Sequence, residues 1–113
     1  MNLNAELYLN LIRGGAARLA EDRQAINDLN VFPIPDGDTG DNMYMTMEAG
    51  CHAALMPMLG ETADAVSKGM LMGARGNSGV ILSRIFAGLA KGLKGLKEAD
   101  CKSFSQEIGR AHV

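Results

Sequence analysis

The chain has 113 residues, 47% of them hydrophobic and only 4% aromatic, with no Trp and a net charge of −2. That length holds one small domain, and the near-neutral charge gives no reason to expect nucleic acid or an anionic membrane as partner. The start of the chain, interrupted by Asn2, Asn4, Glu6 and Asn10, does not read as a signal peptide. No apolar run reaches transmembrane length, so the expected location is the cytoplasm, with Cys51 and Cys101 as free thiols.

In chain order, Leu3, Leu7, Leu11, Ala16 and Leu19, widened by Tyr8 and Ile12, predict an amphipathic helix over Leu3 to Ala20. Gly14 and Gly15 argue against its being unbroken. A short second stretch carries Ile26 and Leu29. Val31-Phe32-Pro33-Ile34-Pro35 is expected to be extended, because two prolines one residue apart forbid a regular helix. A helix is predicted from Asp41 or Asn42 to just before Pro57 and another from about Thr62 to Met72. After a glycine-marked break at residues 73–79, a long helix follows with Ile81, Ile85, Leu89 and Leu93 at helical spacing, reaching Leu96. No segment alternates like a strand, so the expected class is all-α.

Between the proline-bearing segment and the helix from Asp41 or Asn42 lies Asp36-Gly37-Asp38-Thr39-Gly40-Asp41. Two carboxylates around a glycine can converge on one point, and Mg²⁺ takes oxygen ligands while leaving room for water and substrate phosphates. Gly37 and Gly40 let backbone N–H groups approach phosphate oxygens, and the helix that follows would aim its N-terminus at the same place. Asn30 offers a further oxygen. The competing reading is an Asx turn capping a helix. A calcium EF-hand fails because the twelfth position from Asp36 is Met47 rather than Glu.

Gly73-Ala74-Arg75-Gly76-Asn77-Ser78-Gly79 is a second phosphate-cradling segment ahead of a helix. It lacks the Gly-Lys-Ser/Thr of a P-loop, and no strand precedes it as in a dinucleotide fold. Its competing reading is a plain helix-to-helix turn with Ser78 as cap. Arg75 reads as a surface ion-pair residue, and Met43, Met45 and Met47 read as core more than as an adenine pocket. Lys91, Lys94 and Lys97 read as a solvated face, and Cys51 beside His52 has no second pair with which to hold a metal.

With both segments in view, Leu29-Asn30-Val31-Phe32-Pro33-Ile34-Pro35-Asp36-Gly37-Asp38-Thr39-Gly40 followed by Asn42-Met43 resembles the ATP-binding, DhaL-type domain of dihydroxyacetone kinases. The Val-Phe-Pro-Ile-Pro lead-in and residues 73–83 are most similar to the ATP-binding subunit of bacterial fatty acid kinase (FakA-like). The resemblance implies an antiparallel helical barrel, of which this chain carries the N-terminal part, binding ATP or ADP at one end. It implies that Asp36, Asp38 and, more weakly, Asn30 hold two Mg²⁺ ions, Asn30 standing where dihydroxyacetone kinases carry Asp. Thr39, Gly40, Asn42, Met43, Gly76, Asn77, Ser78 and Gly79 would hold the nucleotide. In the fatty acid branch the acceptor is presented by a separate fatty-acid-binding protein. Thr39 stands where the dihydroxyacetone branch commonly has His. Asp41 stands where Thr is common, placing an extra carboxylate near the phosphates.

The domain of that family is longer than this chain, and residues 107–113 stop resembling it. One frame of a common DNA-library adapter encodes Ile108-Gly109-Arg110-Ala111-His112-Val113 and then a stop, so those residues are expected to be non-native and the native sequence to end near Gln106. Part of a helical barrel would leave apolar faces uncovered. The chain alone is therefore expected to aggregate or form a homodimer, and to be inactive as a kinase. A non-catalytic helical module that binds a partner is the alternative of a different class.

Overall fold

A computed structural model describes residues 2–29 and 38–100. Asn30, the Val31–Pro35 lead-in, Asp36, Gly37, Cys101 and the tail at 107–113 lie outside the described residues. The elements are β1 (Asn2–Asn4), α1 (Ala5–Leu29), α2 (Thr39–Cys51), α3 (Leu59–Met72), α4 (Gly76–Gly92) and β2 (Glu98–Asp100). The packed helices make the described part an all-α bundle, as expected.

The first helix corrects the sequence reading: α1 is one continuous helix through Gly14 and Gly15, and Ile26 and Leu29 belong to its last turns. The Asn4 side chain accepts a hydrogen bond from the Leu7 N–H at 2.8 Å, which starts the helix. Each glycine costs about 1 kcal/mol relative to Ala, but the neighbours Tyr8, Leu9, Ile12 and Ala16 form a buried stripe on either side of them, and packing outweighs propensity. Side-chain pairs one turn apart, Arg18 with Asp22 and Gln24 with Asp28, support the exposed face.

α2 runs antiparallel to α1. Gly40 meets the backbone of Arg23 and Met47 meets Gly15, while the Cys51 thiol lies 3.9 Å from the Ile12 carbonyl. α2 stops at Cys51, well short of Pro57, and Ala54 and Leu55 are exposed in the connection. α3 starts earlier than expected because Thr62 folds that connection onto it, accepting from the Met56 N–H at 3.0 Å. α2 and α3 approach closely where small residues face each other: a Cβ on Gly69 would sit 3.0 Å from the Ala49 carbonyl oxygen.

α4 ends at Gly92 rather than near Leu96. The chain turns through Gly95, at a φ of 82° that favours glycine, and enters β2. The pair β1–β2 is the second departure from expectation. It is antiparallel, with Asn2 opposite Asp100, Leu3 opposite Ala99 and Asn4 opposite Glu98. Three-residue strands carry too short an alternation to be seen in sequence. Their pairing is set by burial of Leu3 and Ala99 beneath the bundle. The turn also closes α3. The Leu59 and Gly60 N–H groups, which have no intrahelical partner, donate to the carbonyls of Lys97 and Leu96 at 3.1 and 3.0 Å.

The core is aliphatic. Leu59, Ala63, Val66, Met70 and Leu93 are fully buried, with Tyr8 almost so. Burial pushes the Tyr8 phenol above its usual range, so it packs as a neutral ring. Among the described residues, no helix is long and apolar enough to cross a membrane.

Two methionines two residues apart separate core from surface. Met70 is 0% exposed and packs over Gly50, whereas Met72 is 90% exposed. Met70→Ala should cost about 2–5 kcal/mol in denaturant unfolding, and Met72→Ala less than about 0.5 kcal/mol. Gly14→Ala should stabilise by about 0.5–1 kcal/mol, since nothing lies within 4 Å of the place the added methyl would take.

Candidate functional site

Of the first motif, the described part begins at Asp38, directly ahead of α2. Its backbone (φ −125°, ψ 4°) occupies the N-cap position, yet its carboxylate makes no capping hydrogen bond. The residue is exposed, and its carbonyl accepts the Asn42 N–H at 2.9 Å. An uncommitted carboxylate therefore stands at the positive end of a helix. The next turn is fixed from α1: the buried side chain of Asn27 accepts the Asp41 N–H at 3.2 Å. A Cβ on Gly40 would collide with the Arg23 carbonyl, so only glycine lets α2 lie this close to α1.

Asp41, the residue expected to add charge near the phosphates, faces Arg23. The Arg23 Nε lies 3.8 Å from its carboxylate, and both side chains are about half exposed (50% and 47%). The same guanidinium sits 5.3 Å from the centroid of the Tyr44 ring. An exposed pair of this kind adds little stability, about 0–1 kcal/mol, but it sets the Asp41 charge against a cation.

The second motif differs from the expected loop. Gly76, Asn77, Ser78 and Gly79 are the first turn of α4, and Arg75 rather than Ser78 holds the N-cap position. Arg75 is extended (φ −125°, ψ 127°) with no side-chain cap, and Gly76 follows at φ 65°, where an L side chain is strained. The first-turn N–H groups of Gly76, Asn77 and Ser78 are those that a helix leaves unpaired within itself.

The fold brings the two motifs into contact. The Asn42 side-chain amide lies where a Cβ on Gly76 would be, and the Thr46 hydroxyl where a Cβ on Gly79 would be. Thr46, fully buried, donates to the Asn42 carbonyl at 2.8 Å and accepts the Arg75 N–H at 3.1 Å. The starts of α2 and α4 thus lie side by side, two helix N-termini whose free N–H groups and dipoles favour an anion between or above them. Asp38, Thr39 and Gly40 belong to one start and Gly76–Gly79 to the other.

Asn30 and Asp36 lie outside the described residues, and among those described no group of three or more His, Cys, Asp or Glu gathers as a metal site. Met43 is half-buried, Met45 is exposed, and Met47 belongs to the core. Cys51 is half-buried with its thiol pushed up by burial, and His52 is exposed at the end of α2. Lys91 and Lys94 are exposed at the other end of α4, beside a cleft of about 520 Å³ shared with Glu61 and Asp64 of α3. Three residues of the site escaped the sequence reading. Thr46 has a visible signal, one helical turn after Asn42, whereas Arg23 and Asn27 reach the site only through the packing of α1 on α2.

Residues 33–112 match the DAK2 domain. An uncharacterized protein of Staphylococcus epidermidis is 43% identical over 109 residues, which cover 94% of this chain and 20% of that protein. Protein YloV of Bacillus subtilis is 42% identical over 109 residues, with the same coverage of 94% and 20%. An uncharacterized protein of Staphylococcus aureus is likewise 42% identical over 109 residues, covering 94% and 20%. The chain spans about a fifth of the length of the curated relatives it matches.

Because the contact between the helix starts leaves no space for a methyl group, Gly79→Ala should destabilise the fold by about 1–3 kcal/mol. That loss would be read as a lowered midpoint in thermal or urea unfolding.

Proposed function

The chain belongs to the DAK2 domain family, and from that membership we propose that it is the ATP–magnesium-binding part of a kinase whose acceptor is a fatty acid presented by a separate binding protein. Kinase chemistry of the dihydroxyacetone-kinase type and binding of ADP or ATP come with the family. The observation that carries the reading to this chain is the contact of Asn42 with Gly76, which sets the Asp38 end of α2 beside the glycine-rich start of α4.

The residues present suit magnesium. Asp38 offers a hard oxygen ligand that is exposed and uncommitted to capping, and Asp36 and Asn30 are its proposed companions. Bound there, two Mg²⁺ ions would neutralise the polyphosphate and the charge that develops on the transferred group. The protein's share is placement: N–H groups of Thr39, Gly40, Gly76, Asn77 and Ser78 would hold phosphate oxygens, joined by the Asn77 amide and Ser78 hydroxyl. Transfer of this type needs positioning and charge neutralisation and no covalent intermediate on the enzyme. Arg23 offsets the Asp41 carboxylate, which would otherwise repel the triphosphate.

The fatty acid as acceptor is supported by the Val31–Pro35 lead-in, by Thr39 in place of His and by residues 73–83. Dihydroxyacetone is the alternative acceptor, and ATP-dependent phosphorylation of one or the other by a chain carrying the whole family domain separates them. A non-catalytic module on the same fold would bind no nucleotide.

Titration calorimetry should show ATP binding that disappears with EDTA. Asp38→Ala should weaken it at least tenfold while melting close to wild type, since no capping bond is lost. Nucleotide binding indifferent to magnesium and to Asp38, or no binding at all, would sink the reading.

A further inference from the structure

We infer that the Thr46 hydroxyl is a positioning group for the nucleotide site, holding the two helix starts at the spacing that binding requires. The inference rests on the magnesium–ATP reading above and assigns a role to a residue outside both motifs. A threonine inside a helix commonly turns its hydroxyl back to the carbonyl one turn earlier, a local bond. Thr46 makes that bond, donating to the Asn42 carbonyl at 2.8 Å. The oxygen then accepts from the Arg75 N–H at 3.1 Å, 29 residues away. The hydroxyl is thus used as donor and acceptor at once, between two helices, with no access to water.

The position of this bridge gives it consequence. Arg75 is the N-cap of α4, and the orientation of its peptide sets where the N–H groups of Gly76, Asn77 and Ser78 point. Asn42 is in the first motif, and its amide rests on Gly76. One hydroxyl therefore ties a residue of the first motif to the residue that starts the second. Gly79 is the complement of this arrangement, because the Thr46 oxygen occupies the place of its missing Cβ. Arg75 itself is exposed, so without the hydroxyl its N–H can turn toward water. The expected result is a shifted helix start more than a collapsed one.

Calorimetric titration of the full 113-residue chain with Mg-ATP, beside thermal melts, tests this on Thr46→Val and Thr46→Ser. Val keeps the shape and β-branching without the hydroxyl, and Ser keeps the hydroxyl without the methyl. The expected result is about tenfold weaker Mg-ATP binding for Val, wild-type affinity for Ser, and a cooperative melt in all three proteins, that of Val lowered by no more than the loss of one hydrogen bond. Wild-type affinity in the Val variant would overturn the inference while leaving the ATP reading intact. So would a Ser variant as weak as Val, which would assign the effect to methyl packing. A Val variant that no longer folds beside a normal Ser variant would make the hydroxyl a stability element and overturn the positioning role. If the wild-type chain binds no Mg-ATP, the ATP reading itself fails and the inference goes with it.

Discussion

The close approach of α2 and α4 at their N-terminal ends is the constraint on which the rest of the site depends. Helices ordinarily pack with axes about 8–10 Å apart, separated by their side chains. Here Gly76 and Gly79 remove two of those side chains, and the Asn42 amide and Thr46 hydroxyl fill the space. Polar groups in that gap must be paired, because an unsatisfied buried hydroxyl or N–H costs about 1–3 kcal/mol. The Thr46 hydroxyl is paired on both sides, donating to the Asn42 carbonyl and accepting the Arg75 N–H. The resulting seam is polar, specific in register and placed where each helix leaves N–H groups unpaired.

Electrostatics follows from that geometry. Two helix N-termini side by side present partial positive charge, each favouring an anion by about 0.3–1 kcal/mol at an exposed site. Asp38 puts a carboxylate at the same place without capping the helix. A lone anionic side chain there would compete with a phosphate, and a divalent cation between them converts competition into attraction. Asp41 is different: its N–H is held by Asn27 and its carboxylate faces Arg23, both on α1. α1 thus serves the site from behind, by fixing the first turn of α2 and offsetting its extra charge.

The bundle that carries the site has few aromatic residues. Its core relies on Leu, Val, Met and Ala at helical spacing, sealed by Tyr8. Its ends are closed by backbone: the turn after α4 supplies carbonyls to the start of α3, and β1 pairs with β2. Several large apolar residues remain exposed, among them Leu71, Met72 and Ile81. The chain also spans only about a fifth of the length of its curated relatives.

The sequence by itself determined the helical class and the two motifs, because apolar spacing of three and four residues and glycine–aspartate clusters are local signals that survive without neighbours. It also placed the helices, though with errors at their ends: α1 runs through a glycine pair, α2 stops early, and α4 starts inside the second motif. Those boundaries depend on packing and on caps supplied by distant residues, such as Lys97 and Leu96 for α3. The short β1–β2 pair was invisible for a related reason, since three residues carry no measurable period. Only the tertiary structure decided that the motifs meet, that Asp41 faces Arg23, and that Asn27 and Thr46 take part. Each is a contact between different helices, made by residues at least 14 positions apart, and no local propensity encodes such a distance.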